Sequence, residues 1–146
     1  MKYSKLVEAA LNEVREMSKK SGDAITSSGL AQTQMKLLLT DAHQEHFGVM
    51  FLNTRHELIK DEIMFNGTID CASVYPRMIV KRALDLGASA IILGHNHPSG
   101  DPRPSKADIE ITNKIMAGCN LMDIKVLDHI IVGSIYCTSM SSEELM

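Results

Sequence analysis

Ser89-Ala90-Ile91-Ile92-Leu93-Gly94-His95-Asn96-His97-Pro98-Ser99-Gly100-Asp101-Pro102-Arg103-Pro104-Ser105-Lys106-Ala107-Asp108 is the stretch that organises this chain. It opens with residues 89–93, a short run apolar on both faces, as a central buried strand is. It closes with Ser105-Lys106-Ala107-Asp108, which has the form of a capping box and opens a helix. Between them, three of the four prolines in the sequence stiffen a loop that also carries two of its six histidines. A strand end, a stiff loop and a helix start thus bring polar groups to one point, which is how many folds build a site.

Reading outward, helices alternate with strands. Residues 2–20 form an amphipathic pattern with Leu6, Ala10, Val14 and Met17 on one face, expected to pack against the domain. Ser27 or Ser28 caps a second helix to about Thr40, with Leu30, Met35, Leu38 and Leu39 as its apolar positions. Residues 45–53 and 57–66 read as a hairpin around Asn53-Thr54-Arg55-His56. Pro76 near its first turn and Gly87 just past its end bound a third helix. The helix after the loop runs to about Cys119, with Ile109, Thr112, Ile115 and Met116 inward. Residues 124–132 form a strand, Gly133-Ser134 a tight turn, and residues 135–138 the returning strand, followed by a polar, loose tail. The class is α/β or α+β, with a mostly central sheet flanked by helices. Residues 1–24 read as a helical extension and residues 25–146 as the domain.

Composition narrows the function classes. At 146 residues, 45% hydrophobic and 23% charged, the chain has enough material for one well-formed core. A net charge of -3 gives no broad basic surface for nucleic acid. No apolar run approaches the ~20 residues of a membrane-spanning helix, and Met1-Lys2-Tyr3-Ser4-Lys5-Leu6 lacks the apolar core of a signal peptide. Cys71, Cys119 and Cys137 are widely spaced in apolar surroundings, which points to reduced core thiols and a cytoplasmic location. No CxxC is present to suggest a cysteine zinc cluster.

The chemistry of the stretch follows from donor types. His95 and His97, one residue apart on an extended segment, can share a face, and Asp108 lies one turn into the following helix. Two imidazole nitrogens and a carboxylate oxygen suit Zn²⁺ and leave a fourth position open for water. Ser105 can hold its hydroxyl near a developing oxyanion. A general base must come from elsewhere, and Glu45 and Glu62 are the two choices. Each residue also has an ordinary role. Ser105 and Asp108 are explained by capping alone, and the two readings are compatible because a carboxylate has two oxygens. Asp128 and His129 are either groups that support the ligands or, as a strand histidine between apolar neighbours more often is, structural. His43, His46 and His56 have no ligand spacing, and Arg77 and Arg82 read as a solvated helix face. The letters His95-Asn96-His97 do not belong to a ββα-metal nuclease unit, and the Pro-Cys-x-x-Cys of a zinc deaminase is absent.

The pattern His95-x-His97-Pro98-x6-Ser105-x2-Asp108 resembles the JAMM motif of the JAB/MPN+ metalloproteases position for position. Residues 94–102, Phe51-Leu52-Asn53, Asn66-Gly67-Thr68, Tyr75-Pro76-Arg77 and residues 127–133 are further similar to the bacterial RadC family, and the likeness spans about residues 25–138. The resemblance implies a cytidine-deaminase-like (JAB/MPN) α/β fold, a central mixed sheet flanked by helices, with one zinc per chain. It implies His95, His97 and Asp108 as metal ligands and Ser105 as oxyanion helper. The family's glutamate precedes a strand of the form Glu-x-x-Gly, which Glu45-His46-Phe47-Gly48 matches, so it implies Glu45 over Glu62 as general acid/base. Full-length RadC proteins usually carry a helix-hairpin-helix-like region before this domain. Residues 2–20 hold only a short helix there, so the chain resembles a shorter, stand-alone type.

Two functions of different class follow. One is a zinc-dependent metallohydrolase that cleaves a peptide or isopeptide bond in a peptide or protein substrate, with specificity around Arg55, His56 and residues 66–70. The other is a DNA repair or recombination accessory with a structural or vestigial metal site, to which the acidic balance is unfavourable. A metal-free protein-binding module would lack the ligands that stand here. No membrane partner is expected.

Overall fold

The structure is a computed structural model that describes residues 4–20, 28–39, 44–69 and 73–146. The order is α1 (Lys5–Lys20), α2 (Ser28–Leu38), β1 (His46–Leu52), β2 (Leu58–Asn66), α3 (Pro76–Leu86), β3 (Ala90–Asn96), α4 (Lys106–Leu121), β4 (Lys125–Val132) and β5 (Cys137–Ser139). The five strands form one mixed sheet in the order β2-β1-β3-β4-β5. β3 and β4 are parallel, joined by α4, and the other neighbouring pairs are antiparallel. A parallel pair needs a crossover, and here the crossover helix is the one that begins just after the proline-rich loop.

The core lies on both faces of the sheet. Phe47, Val49, Phe51, Ile91 and Leu93 face one way and pack with Ile79 and Ala83 of α3 and Ile111 and Ile115 of α4. Met50, Leu52, Ala90, Ile92 and Ile130 face the other way and pack with Ala31, Met35 and Leu38 of α2. This alternation within strands apolar on both faces is what a sheet covered by helices requires. Gly48 and Gly94 are register partners on β1 and β3. They let α2 come close: a Cβ at Gly48 would stand 2.8 Å from Leu38 Cδ2, and one at Gly94 would collide with Met35.

Several boundaries differ from the expected ones. β3 continues three residues past Leu93, because Gly94 and His95 pair with β1 and residues 94–96 pair with β4. Its alternation therefore carries straight from Ile91 and Leu93 to His95, on the α3/α4 side. α4 buries Asp108, Ile111, Thr112, Ile115 and Cys119, whereas Ile109 and Met116 are only half-buried. The stripe is thus turned from the expected one and includes the acidic residue. Ile135 and Tyr136 are exposed because Gly133 N–H bonds to Tyr136 O, which makes the last turn longer and β5 shorter.

The tail is not loose. Met140 is fully buried and its N–H bonds to His129 O. Asp128 accepts from Ser139 Oγ at 2.5 Å and from Ser141 N at 3.0 Å. In α1, Leu6 is 80% exposed rather than packed, and the side chains of Val14 and Met17 lie outside the described residues. Of the cysteines, Cys119 is a buried thiol and Cys137 a half-buried one, and Cys71 lies outside the described residues. No helix of the described residues is long and apolar enough to cross a membrane.

Candidate metal centre

β3 delivers His95, His97 follows one residue past the end of the strand, and α4 delivers Asp108 from its first turn. The three side chains meet. His95 Nε2 and His97 Nε2 are 2.9 Å apart. Asp108 Oδ1 is 3.1 Å from His95 Nε2 and Oδ2 is 3.1 Å from His97 Nε2. The helix start is fixed by the expected capping box: Ser105 Oγ accepts from Asp108 N at 3.1 Å, and Asp108 Oδ2 accepts from Ser105 N at 2.7 Å. Capping therefore uses Oδ2, and Oδ1 stays directed at His95.

Glu45 enters from the other side, immediately before β1. One potential donor atom from each of Glu45, His95 and His97 lies within 4.8 Å of the others, so these three form a candidate metal-binding cluster. Glu45 is half-buried, and its Oε2 accepts from Ile69 N at 3.3 Å. Its backbone is held by Asn96, the residue between the two histidines. Asn96 Oδ1 accepts from His46 N at 2.7 Å, and Asn96 Nδ2 donates to Gln44 O at 3.0 Å. The side-chain amide thus acts as one more peptide group of the ladder and brackets Glu45 on both sides. Phe47, one strand position on, stacks nearly parallel to the His95 ring with centroids 6.3 Å apart.

The rings are held from behind. His97 Nδ1 is 2.7 Å from Asp101 O, so that nitrogen carries a proton, and in the neutral ring Nε2 is the bare one. His95 Nδ1 is 2.8 Å from Nε2 of His129, which is fully buried. His129 is therefore not merely a strand residue in the core but in contact with a site histidine. Asp128 faces the tail and has the structural role. Thr112, read from the sequence only as an inward position, reaches both His129 and the Asp108 carbonyl.

The electrostatics follow from burial and pairing in the metal-free protein. Burial alone would push the Asp108 carboxyl up, but its close contacts with His95 and His97 outweigh it and hold it well below the usual carboxylate range. The bond to Asp108 raises His97 above an ordinary imidazole, against the effect of burial. Burial pushes His129 well down, so its ring is neutral. At the rim, Arg103 pairs with Asp101 and holds its carboxyl down at about 2. A cleft of about 290 Å³ borders the centre, lined by His97, Pro98 and Gly100 of the loop, Lys36 of α2 and Leu39 just past its end, and Ser134 of the last turn.

The other residues singled out in the sequence lie elsewhere. Glu62 on β2 is bound by Arg82 of α3, with Nε to Oε1 at 2.6 Å, so Arg82 is paired rather than solvated. Arg77 lies over the Tyr75 ring at 5.0 Å. His46 bonds through Nδ1 to Asn66 Oδ1, His56 sits in the β1–β2 turn with φ 61, and His43 and Asp70 lie outside the described residues. Asn96 and Thr112 were missed as parts of the centre. Their one signal in the sequence is a polar residue where the strand or helix stripe is otherwise apolar.

One buried and one half-buried imidazole, each turning Nε2 to a carboxylate held in its charged form, make a donor set that fits a divalent metal such as zinc. The chain also has clear relatives. Residues 25–145 match the profile of a family described as RadC-like JAB domain. A UPF0758 protein of Vibrio vulnificus (strain YJ016) is 53% identical over 112 residues, 77% of this chain and 50% of the relative. UPF0758 proteins of Vibrio campbellii (strain ATCC BAA-1116) and Aliivibrio fischeri (strain MJ11) are 49% and 50% identical over 78% and 76% of this chain. The chain spans about half the length of these curated relatives. The match over nearly the whole described sheet and its helices places the chain in the family of RadC-like JAB domains.

Proposed function

We propose that the protein is a zinc-dependent metallohydrolase that cleaves an amide, in a peptide or isopeptide bond. The observation that carries this is the division of labour between two carboxylates. Asp108 is 1% exposed and reaches both Nε2 atoms at 3.1 Å, whereas Glu45 is half-buried and stands to the side of the same atoms. The sealed carboxylate suits a ligand and the accessible one a proton carrier. His95, His97 and Asp108 would hold the ion and leave a position open. Bound there, zinc would polarise a carbonyl and lower the pKa of water towards ~7.

The chain's own residues supply the rest. Glu45 takes a proton from the attacking water and returns it to the leaving amine. Its carboxylate keeps its place because Asn96 holds residues 44 and 46 and Ile69 N–H bonds to Oε2. Ser105 Oγ already accepts from Asp108 N, so its O–H is left to donate to the tetrahedral oxyanion. The cleft beside His97 would receive the chain of the substrate.

A peptide-library cleavage screen with zinc-loaded protein tests the reading. The expected result is cleavage by the parent, and a loss of about 10²–10⁴-fold in Glu45→Gln with its zinc retained. A Glu45→Gln protein that loses its zinc makes Glu45 a ligand instead, and one that turns over at the parent rate removes it from the chemistry.

A further inference from the structure

The reaction described above uses His95 but not the buried pair behind it. His129 on β4 and Thr112 on α4 both have no exposed surface. From His95 Nδ1 the contacts run 2.8 Å to His129 Nε2, then 2.5 Å from His129 Nδ1 to Thr112 Oγ1, then 2.6 Å from Thr112 Oγ1 to the Asp108 carbonyl oxygen. The path starts at one metal-facing residue and ends on the backbone of another.

Its hydrogens can be counted. A carbonyl oxygen only accepts, so the Thr112 hydroxyl donates to Asp108 O. The other acceptors in reach are Met140 Sδ at 3.8 Å, a weak thioether, and a bare His129 Nδ1, but donation to either would leave the hydroxyl and carbonyl oxygens 2.6 Å apart with no hydrogen between them. With its one hydrogen committed, Thr112 Oγ1 must accept from His129 Nδ1–H. Complete burial keeps the His129 ring neutral, and a neutral imidazole carries one N–H. His129 Nε2 is therefore bare and accepts from His95 Nδ1–H. His95 Nε2 is left with its lone pair facing His97 and Asp108.

We infer that Thr112 and His129 are positioning residues: a one-way hydrogen-bond chain anchored on the Asp108 carbonyl sets His95 in the tautomer that can bind metal through Nε2. This rests on the reading of His95, His97 and Asp108 as ligands. The need for an anchor is physical. A carbonyl behind a histidine can only accept, as Asp101 O does for His97. A histidine behind a histidine can point either way, and the threonine decides which. The chain also ties β3, β4 and α4 together behind the ring, so it fixes orientation along with tautomer.

The test uses ring-nitrogen NMR on the metal-free protein and zinc affinity by competition with a chelator. In the parent, His95 and His129 should both carry their proton on Nδ1. Thr112→Val keeps the shape and removes the hydroxyl. It should release His129 into a tautomer mixture and weaken zinc binding about 10–100-fold. Thr112→Ser should restore both readings to near the parent's. A parent with the His129 proton on Nε2 overturns the inference. So does a folded Thr112→Val protein with the parent's tautomers and the parent's zinc affinity. A parent that takes up no zinc overturns the metal reading itself, and the tautomers, read without metal, separate that failure from a failure of the chain.

Discussion

His95, on β3, and His97, one residue past its end, are two residues apart, yet they belong to different regions. The His95 side chain has no exposed surface and is backed by His129, Thr112 and the Phe47 ring, all parts of the core. The His97 side chain is 15% exposed and is backed by a carbonyl of the proline-rich loop, whose Asp101 is in turn tied to Arg103 on the surface. The first region is a floor, set when the sheet and α4 pack. The second is a rim, set by a loop and open to the cleft. The comparison teaches that one half of the donor set inherits the rigidity of the core and the other half keeps access to solvent. The proposed hydrolytic function needs both, because ligands must be fixed while water and substrate must enter.

The largest break in this comparison comes from Asp108, which belongs to both regions. Asp108→Ala should reduce bound zinc from about one per chain to near none, measured on the purified protein. It should also cost roughly 1 kcal/mol or more in denaturant unfolding of the metal-free protein, since the capping box at Ser105 is lost with it. A variant that keeps its zinc would show that Glu45, not Asp108, completes the set.

Lowering the pH sharpens the comparison, because the rim histidine is shifted upward. The bond to Asp108 raises His97, and a ligand must be neutral to bind metal. Zinc affinity should therefore be level at high pH and fall by about tenfold per pH unit once the pH drops below that raised value. In the metal-free protein the sign is opposite. The folded pKa lies above the unfolded value of ~6.5, so the His97–Asp108 pair adds stability that is full below pH ~6.5 and lost as pH rises through the folded value. Zinc binding and thermal unfolding above pH ~6.5 should show these opposed slopes, and parallel slopes there would contradict the assignment; below that pH the buried, neutral His129 costs stability as the pH falls.

The smallest effect on the metal is expected at Asn96. Asn96→Ala removes the amide that accepts from His46 N and donates to Gln44 O. It should cost about 1–3 kcal/mol for the unpaired groups, speed hydrogen exchange at His46 N, and leave zinc content unchanged. Loss of zinc from this variant would mean that the floor and rim are not separable.

How far the sequence could be read follows the same division. The rim was legible, because capping boxes, prolines and paired histidines act over a few residues and leave local patterns. Pro76 and Gly87 bounded α3 for the same reason, with Gly87 in the left-handed region at φ 67. The floor was less so. His129 is 34 residues from His95 and Thr112 is 17 from His129, and they meet only because β3 and β4 pair in parallel around α4. The end of β3 lies beyond the expected one, since the apolar run stops at Leu93 while the ladder continues through Gly94, His95 and Asn96. The tail read as loose because its anchor is Asp128, a buried carboxylate on β4 that binds Ser139 and Ser141.

The most direct test of the central claim is the zinc content of three purified proteins, reconstituted with zinc and freed of excess metal: the parent, Glu45→Gln and Asp108→Ala. The account predicts about one zinc per chain in the first two and near none in the third. No zinc in the parent, or loss from Glu45→Gln with retention in Asp108→Ala, would contradict it.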